Sequence, residues 1–236
     1  MDGGDFMYRV RQPDAAMAQH CGMQTISFTT VCTHRNRLLY DADVLILQMI
    51  ADPDILPVIL ERRRRGRLTV YEISDNFLAF QPDNPAAEFY NDPSSRACIM
   101  QCASLCHAVQ FTMPELERRF AHVNPRRAVF MNQIATLGDP ARTETGAITV
   151  GWGGSLGHMH DIRAIAPGII SFLDNTPTAR LALMAHPKIS DLFHTVPNNR
   201  KTLVPTGTII TTSSRHWTSA WRPWPRRTIS MPAVLM

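Results

Sequence analysis

The chain has no charged leader followed by an apolar run, and no apolar stretch long enough to span a bilayer. Neither a secretory signal nor a membrane-spanning helix is expected. The chain reads as cytoplasmic, with peripheral contact to a membrane surface left open. Cysteine is sparse: five residues, an odd count without framework spacing, which fits a reducing compartment. A Walker A loop is missing, because no glycine run ends in Gly-Lys-Ser/Thr, and no clean GxGxxG occurs. No repeat at solenoid periods is visible. No second ligand cluster has metal-site spacing, which counts against a metal site.

What is present suits a folded protein. Hydrophobic residues make up 44% of 236, enough for a core. The formal net charge is +4, much of it in Arg62 to Arg65 and in the C-terminal stretch. A run of like charge is usually a solvated face, so nucleic acid is not expected as a partner. Cys98, Cys102 and Cys106 fall at i, i+4 and i+8, on one helix face, and His107 follows. A metal or redox site is one reading. A helix burying small side chains is the preferred one, since free cysteine is among the most buried residue types.

Strand and helix patterns alternate along the chain. Ala42 to Met49 (ADVLILQM) has strand length and composition, ILPVILERRRRG looks helical and stops at Gly66, and LTVYEI from Leu68 to Ile73 reads as a strand. A long loop with Pro82, Pro85 and Pro93 follows, then a helix from Arg96 to Cys106 and a strand HAVQF. Thr112 and Glu115 suggest a capping box, with Pro114 in the first turn and Leu116 and Phe120 as the apolar stripe. Arg127 to Met131 is a further strand. The polar segment Asn132 to Gly146 reads as a domain linker.

A second α/β run follows the linker: strand AITVGW, turn GGSLGH, a helix over HDIRAIAPGIISFL that Pro167 should kink unless it marks an early-turn position, strand ARLALM, and a short helix SDLFHTV capped by Ser190. The alternation predicts an α/β fold with parallel sheets and helices on both faces. The domain boundaries expected are 1–135, a linker at 136–146, a partial second domain at 147–208, and an aberrant, poorly ordered tail at 209–236.

The stretch ITVGWGGSLGHMHDI, Ile148 to Ile162, carries the chemistry. A strand that ends in glycines and feeds a helix N-terminus makes an anion site, because glycines admit close approach and positive φ. The first helical amides also lack intrahelical partners. Gly153, Gly154, Ser155 and Gly157 form that loop here, and His158 adds a donor. A tight strand-to-helix turn is the plainer alternative.

The chain resembles the GT-B glycosyltransferases of the large retaining, nucleotide-sugar-dependent group (glycosyl transferase family 4 or family 1-like). The resemblance runs over roughly residues 3–208. It is carried by YRVRQP, by ADVLILQ followed by DPDILP, and by VYEISDN and HAVQFTMPELERRF. VGWGGSLGHMHDI, IAPGIISFL and ARLALM carry it further. It implies two Rossmann-like domains, the first on the acceptor side and the second, here incomplete, binding the nucleotide-sugar. It implies that the glycine loop faces the donor diphosphate, with Arg200 and Lys201 as the nearest cationic candidates. Glu72 and Asp75 would lie at the carboxyl edge of the first sheet, in the acceptor-side cleft with Gly3 and Gly4, which resemble the glycine turn after a first strand. It also implies no metal and no cofactor, the nucleotide-sugar being a donor substrate; a glycan, lipid or protein acceptor is left open, and no residue is singled out as catalytic.

The character changes after PTGT. IITTSSRHWTSAWRPWPRRTISMPAVLM holds three of the four tryptophans, no acidic residue and no steady period. Read one base earlier, His216-Trp217-Thr218 forces Leu-Asp, and the free codons permit HYF before it and IGLAPV after it. LDIGLAP is what members of the family carry at this point. A frameshift is therefore expected, and with it loss of the rest of the nucleotide pocket and impaired activity. Two other functions compete. A Rossmann-type NAD(P)-dependent oxidoreductase would use the loop from Gly151 with Asp174 as its acidic residue. A non-catalytic module would use the aromatic tail to dock a partner.

Overall fold

Leu45 and Leu47 alternate with Val44, Ile46 and Gln48 along β1 (Val44–Gln48), and only the first pair is fully buried. That alternation sets the architecture of the first sheet. The computed structural model describes residues 6–29, 32–132 and 147–204. Four strands, β1, β2 (Leu68–Ile73), β3 (Ala108–Phe111) and β4 (Arg127–Val129), lie side by side in chain order, every pair parallel. Right-handed crossovers that always step in one direction return their helices to the same face. Accordingly α3 (Ile55–Arg64) and α5 (Pro93–Leu105) pack on each other and on β2, and α6 (Pro114–Arg119) packs on β3. Leu45, Leu47, Tyr71, Ile73, Val109 and Phe111 face this layer and are buried with Ile59, Ile99, Cys102 and Phe120. On the other face, Val44, Ile46, Val70 and Ala108 are only half-buried.

The second sheet repeats the arrangement with β5 (Thr149–Gly154), β6 (Arg180–Ala185) and β7 (Lys201–Leu203), again parallel and in chain order. Leu181 and Leu183 meet Met159, Ile162, Ala166 and Leu173 of α7 (Met159–Asn175). Ile189, Phe193 and Val196, from α8 (Pro187–Ser190) and the turns after it, complete that core. The molecule is thus α/β with two parallel sheets. Among the described residues, one unit comprises 6–29, 32–79 and 89–132, and the other 80–88 and 147–204. Residues 80–88 therefore group with the second unit, although they fall inside the 1–135 range expected for the first. The linker at 136–146 and the tail at 209–236 lie outside the described residues, as do Gly3 and Gly4.

Several local expectations need correction. Residues before β1 form a π-helical turn (Phe6–Arg11), α1 (Gln12–Cys21) and α2 (Arg35–Asp41), which no periodicity announced. A short helix, α4 (Ala87–Asn91), interrupts the expected proline loop. α5 begins at Pro93 and not at Arg96, because Asp92 caps it by accepting the Ser95 amide at 2.8 Å. The capping box of α6 does not form: the Thr112 hydroxyl donates to the Ser74 carbonyl at 2.8 Å instead, which ties β3 to the end of β2. Ser190 caps nothing with its side chain, and His186 is the capping residue of α8. Pro167 sits inside α7, which runs on as one helix of 17 residues.

The arginine run is also not one solvated face. Arg64 and Arg65 pair with Glu61 on the surface, but Arg62 is fully buried. Its guanidinium donates to the carbonyls of Leu39 at 2.8 Å and Leu68 at 2.6 Å, and to the Thr69 hydroxyl at 3.0 Å. Longer bonds reach the carbonyls of Tyr40 at 3.4 Å and Asp43 at 3.5 Å. The C-terminus of α3 delivers it there: Gly66 takes φ 69°, which lets the Arg67 amide turn back to the Arg62 carbonyl at 2.9 Å. Burial pulls the Arg62 pKa down to about 10, so it stays charged at neutral pH. Among the described residues no helix is long and apolar enough to cross a membrane.

Candidate functional site

In the second unit the glycine segment is mostly strand. Gly153 and Gly154 are the last two residues of β5, Ser155 is the one extended residue after it, and Leu156 to His158 make a 3-10 turn into α7. None of these glycines has positive φ, contrary to the expectation from the sequence. Their need for glycine is contact. A Cβ on Gly154 would stand 2.7 Å from the Trp152 ring, and one on Gly153 would stand 3.0 Å from the Met184 methyl. A Cβ on Gly157 would stand 3.0 Å from the Asn84 amide nitrogen.

The turn sits at the carboxyl edge of a parallel sheet and at the N-terminus of a long helix, the position where α/β folds hold ligands. Two features temper its attraction for an anion. The Ser155 hydroxyl accepts the Gly157 amide at 3.3 Å, so that donor is already used. Asp161, in the first turn of α7, lies 3.0 Å from His158 Nδ1 and contributes negative charge where the helix dipole favours it. Both His158 and Asp161 are exposed.

Arg200 and Lys201 are not with this turn. The Arg200 guanidinium closes the other end of α7, donating to the carbonyls of Leu173 at 2.6 Å, Thr176 at 2.9 Å and Ala179 at 3.0 Å. A helix of 17 residues is about 25 Å long, and that length separates Arg200 from the glycines. Lys201 opens β7 opposite Leu181, at the amino edge of the sheet, and its ammonium donates to the Phe193 carbonyl at 3.1 Å. Both cations serve as C-terminal caps and loop ties, for which the pattern Asn-Arg-Lys before a strand carries no distinct signal.

Two residues beside the turn carry no signal in the sequence. Asp83 pairs with Arg163 of α7 at 2.6 Å, and Asn84 abuts Gly157. Both come from the proline-containing segment 80–88, some 70 residues upstream, so no local pattern links them to the glycines.

In the first unit the expected acidic pair behaves unequally. Glu72 is 1% exposed and sits in the middle of a row across three strands, with Gln48 on β1 and Gln110 on β3 in register beside it. Arg9 reaches it from the π-helical turn, Nε to Oε1 at 3.0 Å and Nη2 to Oε2 at 2.8 Å. Gln48 donates at 3.2 Å and Gln110 donates to the other oxygen. Arg9 also donates to the Phe130 carbonyl and to Asn132 at 3.4 Å. With four donors, both carboxylate oxygens are already engaged within the protein. Asp75 is exposed in the turn after β2, at the carboxyl edge, where its carbonyl accepts the Phe77 amide at 3.0 Å. Next to it, Asn76 Oδ1 is buried with no hydrogen-bond partner among the described residues.

The cysteine row is interior. Cys98 and Cys102 are buried on α5 and Cys106 is buried just past its end, in extended backbone, and burial pushes the Cys106 thiol up to about 12 and raises that of Cys102 as well. Neutral thiols are neither good nucleophiles nor metal ligands. His107 turns to the backbone of β2, accepting the Thr69 amide at 3.1 Å. Among the described residues, no group of three or more His, Cys, Asp or Glu could hold a metal ion. Comparison of the chain with protein-family models finds no match, and comparison with curated proteins finds none.

Proposed function

We propose that the chain is a GT-B-type glycosyltransferase polypeptide with two Rossmann-like units, moving a sugar from a nucleotide-sugar to a glycan, lipid or protein acceptor. The observation that carries this reading is the passage from β5 through Ser155 into α7, at the carboxyl edge of a parallel sheet. There the donor diphosphate would meet the amides of the 3-10 turn and the first turn of α7, with Asn84 and His158 as side-chain donors. Arg200 and Lys201 have no part in it, since their bonds are made elsewhere. On the acceptor side, Asp75 and Asn76 at the carboxyl edge are better placed than Glu72, whose charge is already matched by Arg9. Orientation in the site would supply most of the rate.

The oxidoreductase reading is weaker. Its acidic residue should follow the second strand, whereas Asp174 lies exposed in α7. Residues 209–236 are read as out of frame, so the chain as written should bind donor poorly. Calorimetric titration with uridine- and guanosine-diphosphate sugars and with NAD tests the reading. It should be run on the 236-residue chain and on a version continued in the alternative frame from Ile210. Nucleotide-sugar binding to the second, weakened on the order of tenfold by Asn84→Ala, is expected. NAD binding to either, or no nucleotide-sugar binding to the second, would overturn it.

A further inference from the structure

The amino edge of the first sheet has a gap in its ladder, and a side chain fills it. Thr69 is fully buried in β2, level with His107 just before β3. Its carbonyl accepts the His107 amide at 2.8 Å. In a parallel ladder its own N–H would bond to a carbonyl two residues before His107. That residue, Leu105, is the last of α5, so no strand carbonyl stands there. The His107 imidazole takes the place: the Thr69 N–H donates to Nδ1 at 3.1 Å. An imidazole nitrogen accepts only when it carries no proton. The tautomer is therefore set, with the proton on Nε2.

The surroundings are cationic. Arg62 and Arg63 of α3 and Arg126, before β4, all act on His107, and among the described residues no carboxylate offsets them there. Arg62 donates to the Thr69 hydroxyl at 3.0 Å and to the Leu68 carbonyl at 2.6 Å, so it grips the same two residues of β2. Asp43 is engaged by Arg67, and the adjacent Cys106 thiol is neutral. A second proton on His107 would set a donor against the Thr69 N–H and add a positive charge beside three others.

We propose that His107 is an acid-sensitive clasp: neutral, it closes the amino end of the β2–β3 ladder through the Thr69 amide, and protonated, it lets that end open. Burial and then the three arginines set the direction of its titration. Burial is the largest cause, and it holds the His107 pKa below the ordinary 6.5. The unfolded chain therefore takes up the proton first as pH falls. The clasp's contribution is whole above 6.5 and is lost as pH falls through the lower folded value.

The test is a pH titration of the full chain followed by amide and imidazole resonances, together with melting curves of His107→Gln. The Gln carbonyl can accept the same amide and does not titrate. The Thr69 amide and the His107 ring should shift together, with one midpoint below that of a free histidine. Between pH 7.5 and 5, the unsubstituted chain should lose about 3 °C more in Tm than His107→Gln. His160→Gln, on the exposed side of α7, should track the unsubstituted chain. A Thr69 amide that stays put while His107 titrates, or parallel Tm curves for the unsubstituted chain and His107→Gln, would overturn the proposal. If His107→Gln does not fold, the Thr69 titration alone decides.

Discussion

Arg9 and Glu72 are 63 residues apart in the chain and meet as a two-pronged ion pair at 2.8 and 3.0 Å, both almost fully buried. The pair fastens the π-helical turn to the middle of the first sheet. Removing one partner strands the other charge out of water, which costs more than the pair itself contributes. Arg9→Ala should therefore destabilise the first unit by about 3–5 kcal/mol, read as a lower urea midpoint. Arg9→Met with Glu72→Leu should recover most of that loss. A single variant within about 0.5 kcal/mol of the parent would show that the contact is not formed in solution.

Arg62 poses the inverse case, a buried cation held by carbonyls and a hydroxyl, with no carboxylate bonded to it among the described residues. Lysine has one charged centre and cannot span acceptors on α2, β2 and the segment between them. Arg62→Lys should cost about 2 kcal/mol, and Arg62→Ala, which leaves several carbonyls without a donor, about 3 kcal/mol or more. By contrast Arg64→Ala, on the surface, should change stability by under about 0.5 kcal/mol. Equal costs at 62 and 64 would contradict the buried placement.

These two arginines also mark the limit of what could be read in advance. β2 was expected at Leu68 to Ile73 and is found there, because a β-branched and aromatic run after a helix-ending glycine is a local signal. The parallel sheets follow from the same kind of signal repeated. Arg62, in contrast, looked like one of four solvated arginines, since burial depends on which turn of α3 meets the sheet edge. Arg9 and Asn84 are beyond any local pattern: each acts on residues more than 60 positions away. The glycines do lie where a strand passes into a helix, but positive φ was expected of them and contact with Trp152 and Met184 was found.

Thiol labelling separates the cysteines by burial. Cys21 is exposed and Cys32 is half-buried, while Cys98, Cys102 and Cys106 are inside. Thiolate fraction and access together set the alkylation rate. In native buffer at pH 8, mass spectrometry should find label at Cys21 first, then Cys32. The other three, on α5 and just past its end, should react only on addition of denaturant. Early labelling of Cys102 would mean that α5 does not pack as described.

The last prediction uses the glycines against one another. Gly151 has open space where a Cβ would go and ordinary φ, so Gly151→Ala should be close to neutral. Gly154 differs, because its Cβ would press into the Trp152 ring at 2.7 and 2.9 Å, too close for any real contact. Gly154→Ala should destabilise the second unit by about 1–3 kcal/mol through overpacking. The effect belongs to the pair, so Trp152→Leu should relieve it: the double variant should lose less than the sum of the singles, with a coupling of about 1 kcal/mol or more. Strict additivity would mean that the ring does not lie over Gly154. The glycine would then owe its place to the approach of a ligand and not to Trp152.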